Sequence, residues 1–258
     1  MMIKGIKWTG SKRWLVPLIK PCDVMVELFA GSAIMSLNRS QKCVLNDTNI
    51  ALINFYKAMK NDVDKLIFDI RLLDKQIKSA EYPKDAFYAV RKKFNDSGMI
   101  DPIAFYVLLM NGFNGLWRCG PNGLNVAYGG KRTLQFEQLL LIPIDNIIAL
   151  TSDSYETVNV PDVDCVVFAD PPYTGSATTY GIKKWTYIDD EALLKHLSSF
   201  LNPVIISMLY NEQNITLAKR YGFEYRNFDV SHTAGQGGRK MGQEMLLFND
   251  RGSTFVCE

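Results

Sequence analysis

The chain has 258 residues, 47% of them apolar and 22% charged, with a formal charge of +2, which suits one large globular domain or a core domain carrying an insertion. Its longest apolar run, Ile103 to Met110, falls far short of the roughly 18 residues a bilayer helix needs, and MMIKGIKWTGSKR lacks the apolar core of a secretory signal, which implies a cytoplasmic location. Two distant histidines, His196 and His232, argue against a zinc cluster and a Ser-His-Asp hydrolase, and five cysteines without paired spacing read as reduced thiols.

In chain order, Lys7-Trp-Thr-Gly-Ser-Lys-Arg13 reads as a basic loop with one aromatic, leading to a helix near 14–20. The first 20 residues hold five basic and no acidic side chains. Asp23 to Phe29 reads as a buried strand that ends in Ala30-Gly31-Ser32 and feeds a helix over 33–38. Cys43-Val-Leu45, followed by Asn46-Asp47, reads as the second strand. Residues 50–110 then carry helical periodicity, for example Leu52, Phe55, Tyr56 and Met59. Residues 111–130 are dense in Gly, Asn and aromatics, and Gly120-Pro-Asn-Gly123 is a turn signal that predicts a β-hairpin. A helical block with a hairpin, set into a strand-and-helix chain, predicts an added recognition module. Asp164 to Ala169 reads as another buried strand, ending in Asp170-Pro-Pro-Tyr173. A covering helix over 191–201 and strands at 203–207 and 244–248 complete the pattern. Strand, small-residue turn and helix in succession predict a doubly wound α/β sheet with helices on both faces. Residues 151–258 hold nine basic and fourteen acidic side chains, so the basic first half permits one positive face.

The chemistry concentrates at strand ends. In Asp170-Pro171-Pro172-Tyr173 two prolines fix φ and remove two backbone donors, leaving carbonyls and a carboxylate in a rigid arc. An acceptor-only site suits a substrate that offers hydrogens, such as an exocyclic amine held in line by Asp170 and the Pro171 carbonyl. Tyr173 offers a ring face on which an extruded base can stack. As a bare tetrapeptide the same residues are also an ordinary strand exit. Glu27-Leu28-Phe29-Ala30-Gly31-Ser32 lets a nucleoside approach the backbone, although it is neither a dinucleotide fingerprint nor a phosphate-cradling loop. Asp47, at the next strand end, can accept both hydroxyls of a ribose; standing alone it would be an exposed acid or a helix cap.

The order Trp-Thr-Gly-Ser-Lys, Glu-Leu-Phe-Ala-Gly-Ser, Asn-Asp-Thr, helical insert, Asn-Gly-Phe-Asn-Gly-Leu-Trp-Arg, Asp-Pro-Pro-Tyr resembles the Dam-type DNA adenine-N6 methyltransferases of bacteria and phages, from Lys7 to Phe248. The resemblance implies a Rossmann-like catalytic domain over 1–51 and 151–258, and a target-recognition domain over 52–150 with its hairpin near 113–130. It implies S-adenosylmethionine as methyl donor, no metal, and double-stranded DNA, with GATC or a relaxed variant as the site. By position, Trp8, Thr9, Gly10, Lys12, the 27–32 turn, Asp47, Tyr155 and Asp170 would hold the cofactor, with Tyr155 stacking on its adenine. Lys7, Phe113, Asn114, Leu116, Arg118, Ala127, Lys131 and Arg132 would face DNA, Phe113 and Asn114 entering near the extruded base and Arg118 reading a guanine. The chain departs from the family at Ala127, where a proline is usual, at the Gly129-Gly130 pair, and at Trp117, which is bulkier than is common there. The tetrapeptide alone leaves open RNA adenine or cytosine N4 as the acceptor, and a DNA-binding relative without catalysis is the non-enzymatic alternative. The stretch 231–243 resembles the mobile loop before the family's last strand, with Arg239 and Lys240 as phosphate contacts, and 174–184 is expected to close over the target base.

Overall fold

The computed structural model describes residues 2–130, 133–134, 136–161, 164–175, 184–234 and 238–257, with backbone alone at 231–234 and 238–241. Within these lies a seven-stranded sheet of order β5-β2-β1-β6-β7-β9-β8. The chain opens with a 3-10 turn over Arg13–Leu18 where a helix to residue 20 is expected; Pro17, which has no N–H to donate, sits inside it. β1 (Cys22–Glu27) runs parallel to β2 (Ser40–Asn46), with Met25 opposite Cys43. The expected helix over 33–38 shrinks to α1 (Ser36–Arg39), because Gly31 and Ala33 both take positive φ (48° and 53°) and hold the chain in a turn.

The helical block is α2 (Ile50–Ser79), α3 (Pro83–Asp96) and α4 (Pro102–Asn111). α2 is broken at Asp62, whose backbone is extended and whose carboxylate caps the second half by accepting the Lys65 N–H at 2.8 Å. The run that was too short for a bilayer becomes α4, started by Pro102 behind the Asp101 cap. It is buried almost all round, as a helix apolar on every side must be. β3 (Cys119–Gly120) and β4 (Gly123–Leu124) form the expected hairpin, two residues a side, and α5 (Glu137–Leu140) follows.

The chain re-enters the main sheet at β5 (Ile147–Thr151), a strand the sequence does not announce, and returns through β6 (Val166–Ala169) beside β1. α6 (Tyr187–Leu197) begins four residues before the expected 191, at a Thr186–Asp189 capping box. β7 (Val204–Leu209), α7 (Glu212–Arg220), β8 (Glu224–Ala234), β9 (Gly238–Phe248) and α8 (Asp250–Ser253) finish the chain. The stretch 231–243, expected as a loop, is instead strand on both sides of 235–237: β8 and β9 pair antiparallel from Glu224↔Phe248 out to Ala234↔Gly238. The ladder satisfies the backbone groups that a loop of this composition would leave to water.

Alternation along the strands feeds two cores. Val26, Val167, Ala169 and Ile206 face α6 and α7, whereas Met25, Val166, Phe168 and Ile205 pack on the 3-10 turn and on Ile34 and Met35. A third cluster joins the helical block to β2 through Cys43, Leu45, Phe55 and Phe105. Among the described residues no helix is long and apolar enough to cross a membrane.

The strand order reverses between β1 and β6. That switch point opens a crevice at the carboxyl ends of the strands, and the residues singled out above lie around it.

Candidate functional site

The turn after β1 is fixed from three sides. Leu28 N–H donates to the Phe168 carbonyl (3.0 Å) and Ala30 N–H to the Asn46 carbonyl (2.8 Å). The Asp47 carboxylate accepts the Gly31 N–H at 3.0 Å and the Asn49 N–H at 2.9 Å. A carboxylate has about four lone-pair positions, so about two remain for another donor pair. Burial pushes the Asp47 carboxyl up, against the two N–H groups that favour its ionised form. Asn46 is fully buried; its amide donates to the Leu28 and Asp153 carbonyls (3.0 and 3.1 Å) and accepts from Thr151 Oγ1 and Asp153 N. Within 27–32 the side chains of Glu27, Leu28, Ala30 and Ser32 are buried, leaving backbone and the Phe29 ring toward the crevice. Glu27 accepts the Ser36 N–H at 2.5 Å, and burial raises its carboxyl to about 8.

Phe29 and Tyr155 lie 5.6 Å apart between centroids, and Trp185 closes the group at 5.8 Å from Phe29 and 6.3 Å from Tyr155. The sequence points to Tyr155 but not to Trp185. Trp185 Nε1 donates to Asp190 at 2.7 Å, and Thr174 Oγ1 donates to the other oxygen of the same carboxylate. Both flanks of the 174–184 stretch are thus tied to α6; residues 176–183 of that stretch lie outside the described residues.

Asp170-Pro-Pro-Tyr173 leaves β6 directly across from this turn. The structure adds one cation to the acceptor arc: Lys12 is 6% exposed, with Nζ 3.0 Å from Asp170 Oδ1, 3.0 Å from the Gly10 carbonyl and 4.7 Å from the Tyr173 ring centroid. Burial raises the Asp170 carboxyl to about 6 although Lys12 pulls it down. The Tyr173 hydroxyl points inward, 2.8 Å from Ser207 Oγ and donating to Glu244 at 2.8 Å. Neither Ser207 nor Glu244 stood out in the sequence.

Two glycines let Trp8 lie on the turn after β1 and Lys7 on the 113–118 loop. A Cβ on Gly31 (φ 48°) would sit 2.9 Å from Trp8 Cδ1, and one on Gly115 (φ 64°) 2.6 Å from Lys7 Cε. The Trp8 indole therefore lies on the turn while stacking on Trp117 at 6.1 Å, and Lys7 lies along the 113–118 loop. Trp117 is buried against Phe105 and Phe94, so its bulk fills the core beneath the loop. Phe113, Asn114 and Arg118 are exposed, with Asn114 at φ 55°. Phe113 N–H donates to the Ala127 carbonyl at 2.8 Å, a bond that does not depend on which side chain residue 127 carries. Phe113, Leu116, Arg118 and Ala127 line an open groove of about 400 Å³ with Tyr88 and Arg91, whose guanidinium donates to the Val126 carbonyl at 2.6 Å. These two α3 residues were missed because a helix period shows only which face is apolar. Lys131 and Arg132 lie outside the described residues. Among the described residues, no group of three or more His, Cys, Asp or Glu side chains is placed to hold a metal ion.

Comparison with known proteins bears on the same segments. The profile of the D12 class N6 adenine-specific DNA methyltransferases matches residues 8–227. A DNA adenine methylase of Vibrio cholerae is 29% identical, covering 94% of this chain and 95% of its own. The Retron Ec67 DNA adenine methylase of Escherichia coli is 31% identical over 78% of this chain and 75% of its own. The type II methyltransferase M.CviBI of Paramecium bursaria Chlorella virus NC1A is 30% identical over 68% and 71%.

Proposed function

The chain belongs to the D12 class N6 adenine-specific DNA methyltransferases, and from that premise we propose that it moves a methyl group from S-adenosylmethionine to N6 of an adenine extruded from duplex DNA, within GATC or a relaxed variant of it. The observation that carries this reading is the convergence, at one switch point, of the Asp170 loop, the Asp47 turn and the exposed 113–118 loop. The reaction takes place with the DNA, in the cytoplasm of a bacterial cell or a phage-infected host.

The residues fit the cofactor. Asp47 keeps lone pairs for the two ribose hydroxyls. The Phe29, Tyr155 and Trp185 rings offer faces to an adenine, and the Trp8, Thr9 and Gly10 loop with Lys12 lies at the methionine end. When bound, the cofactor supplies a methyl group on a positively charged sulfur. Asp170 and the Pro171 carbonyl each accept one N–H of the target amine, which draws its lone pair out of the ring system and toward the methyl. An ionised Asp170 is required for that acceptance, and the Lys12 ammonium keeps it ionised at neutral pH. Tyr173 presents its ring to the base, its hydroxyl being engaged behind it.

On the DNA side, Phe113 enters the stack where the base leaves, offsetting part of the lost stacking. Arg118 reads a guanine by two hydrogen bonds. Lys7, lying along the same loop, reads the first guanine of the site, and Leu116 and Ala127 in the groove, together with Lys131 and Arg132, complete the contact with base edges and phosphates. Methylation-aware sequencing of DNA from cells expressing the protein tests the site directly. N6-methyladenine at GATC is the expected result; methylation confined to another consensus refutes the sequence assignment, and a different methylated base refutes the acceptor.

A further inference from the structure

Glu244 takes no part in the reaction outlined above, yet it is a carboxylate only 2% exposed at the head of the apolar run Met245 to Phe248. Burying a carboxylate costs several kcal/mol unless charge and hydrogen bonds compensate. Three of its partners lie at the site. Oε2 accepts the Tyr173 hydroxyl at 2.8 Å, lies 3.5 Å from Ser207 Oγ and stands 3.9 Å from Lys12 Nζ. The pairing of β7 with β9 sets Glu244 opposite Leu209, at the carboxyl end of the parallel strands. Lys12 is therefore shared between two carboxylates, Asp170 at 3.0 Å and Glu244 at 3.9 Å, above the Tyr173 ring.

We propose that Glu244 is a positioning residue for methyl transfer: through the Tyr173 hydroxyl it fixes the plane of the ring on which the target base stacks, and through Lys12 it shares the cation that faces Asp170. The inference rests on the reading of Asp170 to Tyr173 as the amine site. With its hydroxyl held by Glu244 and Ser207 together, the Tyr173 ring cannot tilt without breaking two hydrogen bonds. Among the described residues, the charged and titratable groups around Asp170 are Lys12 ahead of the 3-10 turn, Glu244 on β9, Tyr173 in its own loop and Glu27 on β1. Lys12 lowers the Asp170 carboxyl and Glu244 raises it.

Two variants separate these roles. Glu244→Gln keeps an oxygen for the Tyr173 hydroxyl but loses the charge, so the acid limb of the kcat profile moves to lower pH, by on the order of one unit. Glu244→Leu loses the acceptor as well, and kcat falls by roughly 10- to 100-fold while the Kd for S-adenosylmethionine, read by calorimetry, stays within about threefold. If Glu244 acts through the hydroxyl, Tyr173→Phe combined with Glu244→Leu loses no more than the larger single loss. An acid limb that does not move in Glu244→Gln, or losses that multiply in the double variant, overturns the inference. A wild-type protein that binds S-adenosylmethionine but methylates no adenine in duplex DNA overturns the site reading beneath it, and is recognisable before any variant is made.

Discussion

Replacing Lys12 by methionine removes the cation that faces Asp170 while keeping a chain of similar length in the same buried space. At 3.0 Å and an effective dielectric constant of 20, the Lys12–Asp170 attraction is about 5 kcal/mol before relaxation. Loss of an adjacent opposite charge moves a carboxyl by roughly 1–3 units. Asp170 already lies at about 6, so its titration in Lys12→Met moves to about pH 7–9. Methyl transfer needs the ionised form, so the acid limb of single-turnover kcat moves upward by the same amount, and activity at pH 7 falls while activity near pH 9.5 recovers toward wild type. Glu244 loses the same cation, and unpairing buried charges costs about 3–5 kcal/mol of stability, partly offset as Asp170 takes up a proton. The assay is a kcat profile from pH 5.5 to 9.5 for wild type, Lys12→Met and the charge-retaining Lys12→Arg, each checked for cofactor binding by calorimetry. A Lys12→Met protein that still binds cofactor, with its limb within a few tenths of a unit of wild type, refutes the assignment of Lys12 as the group that sets Asp170.

Other consequences follow from burial and from the exposed loop. Glu27, at about 8 in the fold against an ordinary 4.5, holds its proton more tightly folded than unfolded. Its contribution to stability is therefore complete below about pH 4.5 and is lost as pH rises through 8, by about 4–5 kcal/mol in all. Glu27→Gln keeps an oxygen for the Ser36 N–H, and its unfolding free energy in urea should fall less than that of wild type between pH 6 and 8.5; an equal fall contradicts the burial reading. Arg118→Ala should cost ~1–3 kcal/mol of discrimination at one guanine, measured as relative kcat/KM on duplexes that vary at that position. Unchanged preference there counts against direct readout.

The three motif segments were legible because each sits at the carboxyl end of a strand, where an apolar run gives way to small or acidic residues: Phe29 to Ser32, Asp47, and Asp170 to Tyr173. The hairpin announced itself through Gly120-Pro-Asn-Gly123. What escaped depends on long-range pairing. Ile147 to Thr151 is an edge strand with Ile148 and Ala149 exposed, so it lacks the continuous apolar run that marks β1 and β6. β8, at the far edge of the sheet, has Glu224, Arg226, Asn227 and Asp229 exposed, so it too lacks a continuous apolar run. Glu244 meets Tyr173, 71 positions earlier, only because β9 lies against β7. The resemblance places Lys12 at the cofactor, but nothing local reveals that the amino-terminal segment carries it against Asp170. Trp185 gave no signal because an isolated tryptophan ahead of a helix looks like any aromatic covering a core.

The central claim is that Asp170 holds an adenine amine for methylation. It is tested most directly by incubating wild type and Asp170→Ala with methyl-labelled S-adenosylmethionine and a duplex bearing a single GATC, then identifying the labelled nucleoside by mass spectrometry. The account predicts N6-methyladenine from wild type and none from Asp170→Ala, which still binds the duplex with an affinity close to wild type. Transfer by Asp170→Ala at the wild-type rate, or label recovered in any nucleoside other than N6-methyladenine, would contradict it.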